Sequence, residues 1–586
     1  MSLPSFDRYR SLLTMYFWPQ RRQVTLLLLL IIGDNLLLLV GPKVLSQFVD
    51  AAVAGAAASV LVWLSVWYLI AAISQQAMTM SATYVGEKTG WQAANALRSD
   101  IAKHTLDLDM SFHKKQTPGI MIERIDGDVA SLNRFFSQMV LQIGGSILLL
   151  TSTVSVLLWT EWRLGILLLG YALLAMWILF ALRGVAVPFW EAGREASAQL
   201  FGFLEERLAG LEDIRGLGAR SYVLRRLNLL MDEKNKYDTL GRVYGSLTWM
   251  IPMVLSSLLT VMILAVGVWL YLRNEITIGL IVMTMFYGDM IMRPIRTISS
   301  EIDQLQQATA GIVRIAELLA VKSRLIDGVH EMAGVIPPVS FQNVTFAYQD
   351  DEEGLAEAPV LRDVSFHIPA GKVVGLLGRT GSGKSTLIRL LFRLYDVSSG
   401  SIKIGDYAIP EYTLASLRTH VGLVTQDVQL FYATVRDNLT FFNPAIRDEQ
   451  LLEALHTLGL DRWFAQQPDG LDTLLAANGA TSAGEAQLIA LARVYLKQPQ
   501  VIILDEASAR IDPETEKMVE RALDTVLANK TTIIIAHRLQ TVRRCDYIAI
   551  LANGSLVEFG AESALRADST TRYAQLLQHG AEQELA

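Results

Sequence analysis

The sequence predicts a two-part chain: an all-α six-helix transmembrane domain with long cytoplasmic helical hairpins, followed by an α/β P-loop domain. Three observations carry that prediction. Six apolar stretches long enough to cross a bilayer all fall before residue 300. From Val339 onward strand-like alternation and helical stretches take turns, as in an α/β nucleotide domain. Between the apolar run Val373–Leu377 and the helical run Leu387–Phe392 stands Gly378–Thr386, and that setting is what makes a G-x-x-x-x-G-K-[ST] motif a phosphate-binding loop.

Composition sets the outer limits. A chain of 586 residues has room for at least two domains, and 52% hydrophobic content is high for a soluble protein. The net charge of −7 argues against a nucleic-acid binder working through a basic surface. The single Cys545 rules out an intramolecular disulfide and fits a reducing cytosol for the globular half. Arg8, Arg10, Arg21 and Arg22 precede a long apolar run that no small-residue cleavage site closes. It therefore reads as a retained first span, not a signal peptide.

In chain order, residues 1–20 mix Tyr9, Tyr16, Phe17 and Trp18 with arginines, which suggests a short interfacial helix. Spans follow near 23–45, 58–82, 137–160, 163–187, 246–272 and 276–298. The connection 51–57 carries no charge, and 161–163 and 273–275 hold one acid and one arginine each, whereas 86–136 and 188–245 are long and dense in Lys and Arg. The positive-inside bias puts the long segments and both termini in the cytoplasm, in a multi-pass plasma-membrane protein. Helical apolar spacing over 86–110 and 190–245 extends the spans beyond the bilayer. Each hairpin is expected to turn at a short polar element, Ser111–Gly119 in one and Leu211–Gly218 in the other. The expected boundaries are a transmembrane domain over 1–320, a linker over 321–338 and a nucleotide-binding domain over 339–586.

In the loop Gly378, Arg379, Thr380, Gly381, Ser382, Gly383, Lys384, Ser385 and Thr386, the glycines let backbone N–H groups curl around phosphate oxygens. The following helix aims its positive dipole end at the same anion. Lys384 would reach the β- and γ-phosphates of ATP, and Ser385 would hold Mg²⁺. The competing reading, an accidental Gly-rich turn, does not account for the flanking strand and helix. Further on, Val501–Glu506 is an apolar strand ending in two acids, which places both carboxylates at the ligand edge of an α/β sheet. Asp505 would complete the Mg²⁺ shell, and Glu506 would orient or deprotonate the attacking water.

This ordered set resembles the nucleotide-binding domain of an ATP-binding cassette (ABC) transporter, and the six-span half in front resembles an ABC exporter half-transporter. The resemblance implies roles for further residues. Tyr348 matches the aromatic that stacks on adenine, and Gln426 the glutamine that touches metal and senses the γ-phosphate. His537 matches the switch histidine and Asp512 the end of the D-loop. The family signature, usually Leu-Ser-Gly-Gly-Gln, reads Thr481-Ser482-Ala483-Gly484-Glu485 here. Ser482 and Gly484, which match the groups that grip a γ-phosphate, survive. The stretch Leu475–Gly479 lacks the expected glutamate. Weakened phosphate contact and neutral drift both explain the altered signature.

In the membrane half, Asp34 lies near mid-bilayer and Asp289 lies in the sixth span. Either both line a central cavity and take cationic groups, or Asp289 pairs with Arg293 and Asp34 hydrogen-bonds within a helix contact beside Asn35. The expected function is ATP-driven outward transport of a hydrophobic or amphipathic substrate (drug, peptide or lipid) by a dimer of half-transporters. The altered signature favours a heterodimer in which this chain supplies Glu506. The alternative is a nucleotide-gated channel or regulatory receptor that binds ATP without pumping; intact Glu506 and His537 weigh against it.

Overall fold

The computed structural model describes residues 14–130, 139–182, 184–185, 187–348, 358–475, 481–505, 513–536 and 539–578. The chain divides into two compact units, Met1–Leu106 with Thr117–Val321, and Asp107–Gln116 with Lys322–Ala586.

The first unit is built of helices joined by short turns, with no strand among its described residues. Its longer helices are α1 (Arg21–Val53) and α2 (Ala58–Asp107), the latter running one residue into the second unit's segment. Next come the short α3 (Met110–Lys115), which belongs to the second unit, and α4 (Pro118–Ile122). They are followed by α5 (Gly145–Thr160), α6 (Trp162–Leu182), α7 (Val187–Ala209), the short α8 (Leu211–Gly216), α9 (Arg220–Leu272) and α10 (Ile278–Ala320). Six of the helical stretches are long and apolar enough to cross a membrane: Thr14–Val53, Ala58–Asp107, Gln142–Thr160, Trp162–Ala209, Arg220–Leu272 and Ile278–Ile298. These are the six spans read from hydropathy. Helices suit this role because every peptide group finds its partner within its own segment.

The interfacial helix read into residues 1–20 falls largely outside the described residues. From residue 14 the chain is helical, passes through a tight turn at Trp18–Gln20 and runs straight into α1, with the Arg21 guanidinium 5.9 Å from the Trp18 ring. The two hairpin elements fold as short helices instead of open turns. Asp109 caps α3 and Thr117 caps α4, and Pro118 opens α4 at the position where a missing N–H costs nothing.

Apolar side chains from α1, α5, α6, α9 and α10 form one core that includes Leu39, Leu157, Leu168, Ala175, Leu259, Tyr287, Ile291 and Ile295. One of its polar groups also ties two spans together. The Tyr287 hydroxyl donates to the Leu39 carbonyl at 2.8 Å, tying the sixth span to the first. At the far end of the same helices, Asp50 accepts from the Thr277 hydroxyl and the Gly279 N–H, each at 2.8 Å. On the polar extension of α10, Arg314 makes a two-point contact to Asp128, a carboxylate only 3% exposed. Asp128 ends a wide π-helical turn, Glu123–Asp128, and Arg98 of α2 pairs with Asp126 of the same turn at 2.9 Å.

The second unit is built on a six-stranded sheet. Its strands in chain order are β1 (Val339–Phe346), β2 (Leu361–Ile368), β3 (Val373–Leu377), β4 (Ser399–Ile404), β5 (Tyr407–Ala408), β6 (Val421–Val424), β7 (Ala433–Thr434), β8 (Leu474–Leu475), β9 (Val501–Asp505), β10 (Thr531–Ile535), β11 (Tyr547–Ala552) and β12 (Ser555–Ala561). The main sheet runs β12-β11-β3-β10-β9-β6, parallel except for β12, and β2-β1-β4-β5 form an antiparallel sheet beside it. Parallel strands covered on both faces need continuous apolar runs, and Val501–Leu504 and Ile533–Ile535 are buried accordingly.

Breaking the Asp128–Arg314 contact from the cation side leaves a carboxylate buried without its partner. Arg314→Ala should therefore destabilise the detergent-purified protein by about 2 kcal/mol, discounted because the guanidinium is partly solvated, and Asp128→Asn by about half of that. Thermal unfolding followed by intrinsic fluorescence checks the order; an Arg314→Ala protein as stable as the parent would remove the contact from the fold's support.

Candidate functional site

The phosphate loop begins where β3 stops, and α11 (Lys384–Leu391) starts within it. Gly378 and Gly383 have φ of +150° and +102°, a region that favours glycine. A Cβ on Gly378 would lie 2.3 Å from the Leu551 carbonyl oxygen, and one on Gly383 2.6 Å from the Leu361 side chain. Lys384 is buried and folds back over its own loop, donating to the carbonyls of Gly378 and, at 3.2 Å, Arg379. Ser382 is 4% exposed, and its hydroxyl has no hydrogen-bond partner among the described residues. A buried hydroxyl without a partner is costly, so its place beside a glycine-lined loop and a helix N-terminus fits a missing anion. The loop therefore fits a nucleotide's phosphates on its own geometry. Ser385, exposed on the first turn of α11, is the hydroxyl available to a metal.

Sheet register brings the second motif to the same edge. Ile535 pairs with both Leu376 and Asp505, so Asp505 sits level with the end of β3 across one intervening strand, about 10 Å away. Val424 pairs with Leu504, so Gln426 leaves β6 two residues beyond that same edge. The loop carrying Gln426 is tied down from behind. Asn438 and the backbone of Phe431 exchange two bonds of 2.9 Å, and Arg493 donates to Gln429 O at 3.0 Å and Asn438 O at 2.7 Å. Burial lowers the Arg493 guanidinium to about 10. Glu506, Asp512 and His537 lie outside the described residues, as does most of the altered stretch after Leu475.

Tyr348 is half-buried just past β1. Its hydroxyl lies 3.2 Å from Thr386 Oγ1 and accepts from Arg389 Nη1 at 3.2 Å; Phe346 and Tyr395 flank the ring. The Lys114 ammonium, on α3, lies 4.5 Å from the ring centroid. Asp109 fixes that helix by accepting from Ser111 N at 2.9 Å and Arg324 N at 2.7 Å. Burial works against its charge, but these N–H groups, with the Ser111 hydroxyl and Phe112 N–H, outweigh it and hold the carboxyl below the usual range. A cavity of about 210 Å³ opens here between Lys114, Lys115, Arg324, Tyr348, Tyr395 and Asp396. The sequence places Lys114 in the hairpin element Ser111–Gly119, and no local spacing links it to Tyr348.

The signature segment opens α12 (Ala483–Lys497). Ser482 caps it by accepting from Glu485 N at 3.3 Å, and the Glu485 carboxylate reaches back to Ser482 N at 2.8 Å. This reciprocal cap follows from a Ser followed three residues later by Glu, a signal present in the sequence and not used. Gly484 is buried in the first turn, and Ser482 is exposed.

In the membrane half the two acids differ. Asp34 is half-buried and accepts from Gln75 Nε2 at 2.9 Å and Thr79 Oγ1 at 2.5 Å, both on α2, while Asn35 bonds to Ile31 O. Asp289 is exposed and makes no ion pair with Arg293 among the described residues, contrary to the pairing considered from their spacing. A charge near the middle of a bilayer costs about 3 kcal/mol on insertion scales, so Asp289 does not face lipid.

Comparison with known proteins agrees with this geometry. Residues 24–295 match the profile of the ABC transporter transmembrane region, and residues 361–509 that of the ABC transporter. An ABC transporter ATP-binding protein of Bacillus subtilis, YknV, is 31% identical over 477 residues, covering 80% of this chain and 78% of its own. The ATP-dependent lipid A-core flippase of Aliivibrio fischeri is 30% identical over 496 residues, 83% of each chain. The structure of a bacterial Atm1-family ABC exporter with ATP bound superposes with a TM-score of 0.77 at 25% identity, covering 96% of this chain and 98% of that one. With the membrane region and the ATP-binding region of that family fused in one polypeptide, the chain belongs to the ABC transporter family as a half-transporter with an ATPase coupled to transport.

Proposed function

We propose that the protein is one half of a dimeric exporter that moves a hydrophobic or amphipathic substrate outward across the plasma membrane, with both termini in the cytoplasm. The observation that carries the reading is the glycine-lined loop with the unpartnered Ser382 hydroxyl, in a chain that also has six apolar spans. The loop's N–H groups bind the phosphates, and Lys384 turns from its own carbonyls toward the β- and γ-phosphate oxygens. Tyr348 takes the adenine. Ser385, Asp505 and Gln426 would hold Mg²⁺, which when bound supplies positive charge against the phosphate oxygens. Glu506 positions or deprotonates the attacking water, and His537 contacts the γ-phosphate. Asp512 would end the D-loop, and Ser482 and Gly484 would face the nucleotide held by the second subunit.

Two cassettes closing over ATP drive the spans between two arrangements. Such a shift needs binding energy that differs between the states, which a nucleotide shared by two chains provides. The partner is a second half-transporter, and the altered signature favours a different chain over a second copy. Glu485 carries a negative charge at the helix end that faces the partner's γ-phosphate, where the family has a neutral glutamine. In a homodimer both sites carry that burden, and in a heterodimer only one does.

Glu506→Gln keeps shape but removes the base, so ATP binding should persist while hydrolysis falls by about 10² or more. An ATPase rate within twofold of the parent would take Glu506 out of the catalytic role. Export itself is tested in sealed proteoliposomes, where substrate movement must require ATP on the cassette side; a conductance without accumulation would identify a gated channel instead. The Lys114 ammonium occupies a face of the tyrosine assigned to adenine, so Lys114→Ala should tighten ATP binding about three- to tenfold, measured by fluorescent-nucleotide displacement. Unchanged or weaker binding would show that the lysine does not compete with the base. For the partner, a stable homodimer with full substrate-stimulated ATPase and transport would overturn the heterodimer.

A further inference from the structure

Within the sixth span, Ile278–Ile298, the residues exposed on the chain are Phe286, Asp289, Arg293 and Arg296. Their spacing of three, four and three residues confines them to an arc of about 80° on a helix of 3.6 residues per turn. The other sides are packed: Met283, Thr284, Tyr287, Ile291, Met292 and Ile295 are each 3% exposed or less. The helix is thus gripped by its own chain on every side but one, and that side carries three charges. Hydrocarbon does not accept such a stripe, so it faces water or protein.

Asp289 and Arg293 are one turn apart yet form no ion pair among the described residues, and Arg296 adds a second guanidinium. The stripe therefore carries one net positive charge. It is also graded along the axis. Counting from Ile278, Phe286 lies about 12 Å along the helix, Asp289 about 16 Å, Arg293 about 22 Å and Arg296 about 27 Å. An aromatic surface stands at one end and a pair of planar, fixed-charge forks at the other. Guanidinium forks match the oxygens of phosphate or carboxylate two at a time.

We infer that this stripe is a substrate site for an amphipathic anion, whose phosphate or carboxylate head binds between Arg293 and Arg296 and whose apolar tail lies against Phe286. Asp289 tunes the site against anions that lack a positive or hydroxyl group nearby. The inference rests on the export reading and narrows its substrate class. It reverses the charge expected from Asp289 alone, since that acid is outnumbered on its own face.

The test uses the full chain, with its partner subunit if it requires one, in nanodiscs of neutral lipid. Dodecyl phosphate, dodecyltrimethylammonium, dodecyl maltoside and inorganic phosphate are titrated against intrinsic fluorescence. Dodecyl phosphate should bind at least tenfold more tightly than the other three. The double variant Arg293→Gln/Arg296→Gln should lose at least tenfold in that affinity, Arg293→Lys/Arg296→Lys should stay within about threefold of the parent, and Asp289→Asn should tighten binding severalfold. A preference for the cation, equal binding of inorganic phosphate, or a double Gln variant that binds dodecyl phosphate as the parent does would each overturn the proposal. So would dissociation of the purified assembly in the double Gln variant, which would make the stripe a seam between subunits. If the double variant does not fold, Asp289→Asn decides: weaker or unchanged anion binding rejects the site. ATP-dependent accumulation of dodecyltrimethylammonium in sealed vesicles would sink this inference and leave export standing, whereas anion binding without any ATP-driven movement would do the reverse.

Discussion

A peptide group in hydrocarbon has no water to bond to, and most of the first unit follows from that constraint. It selects helices, and it makes them long, because a helix that stops inside the bilayer exposes unpaired N–H and C=O groups. It also sorts polar side chains. Asp34 finds Gln75 and Thr79, Tyr287 finds a backbone carbonyl on α1, and Asp50 caps the start of α10. What remains unmatched on the sixth span is gathered on one stripe, which implies a neighbour or solvent that the single chain does not provide.

The second unit solves the opposite problem. Its strands are buried on both faces, so chemistry is confined to the edge where they end. Three neighbouring strands deliver the phosphate loop, the approach to His537 and Asp505 to that edge, and β6 adds Gln426. Register alone fixes their common level. The loop keeps its shape through backbone conformation and through Lys384, which bonds to the loop's own carbonyls, while the buried Ser382 hydroxyl is left for an anion.

The spans and the phosphate loop were legible because each is written locally, as a run of apolar residues or a motif of nine. The helical nature of the hairpin turns was not, since polar residues with Pro118-Gly119 read equally well as an open turn until Asp109 and Thr117 are seen as caps. Lys114 and Tyr348 meet only through the fold. Arg296 was within reach of sequence reading: it lies seven residues after Asp289, on the same helical face, but attention to the nearer Arg293 suggested an ion pair that does not form. The Glu485 cap is likewise written in the spacing, as Ser482 followed three residues later by a glutamate.

The 50 residues of α2 run for about 75 Å without a proline. The three other helices longer than 30 residues are interrupted, by Pro42 in α1, Pro252 in α9 and Pro294 in α10. Each of those removes a hydrogen bond and offers a place to bend. With no such hinge, α2 acts as a lever arm: a tilt of about 10° at one end displaces the other by roughly 13 Å, from its length alone. Its mechanical advantage is set by where it is held along its length, not by any joint within it.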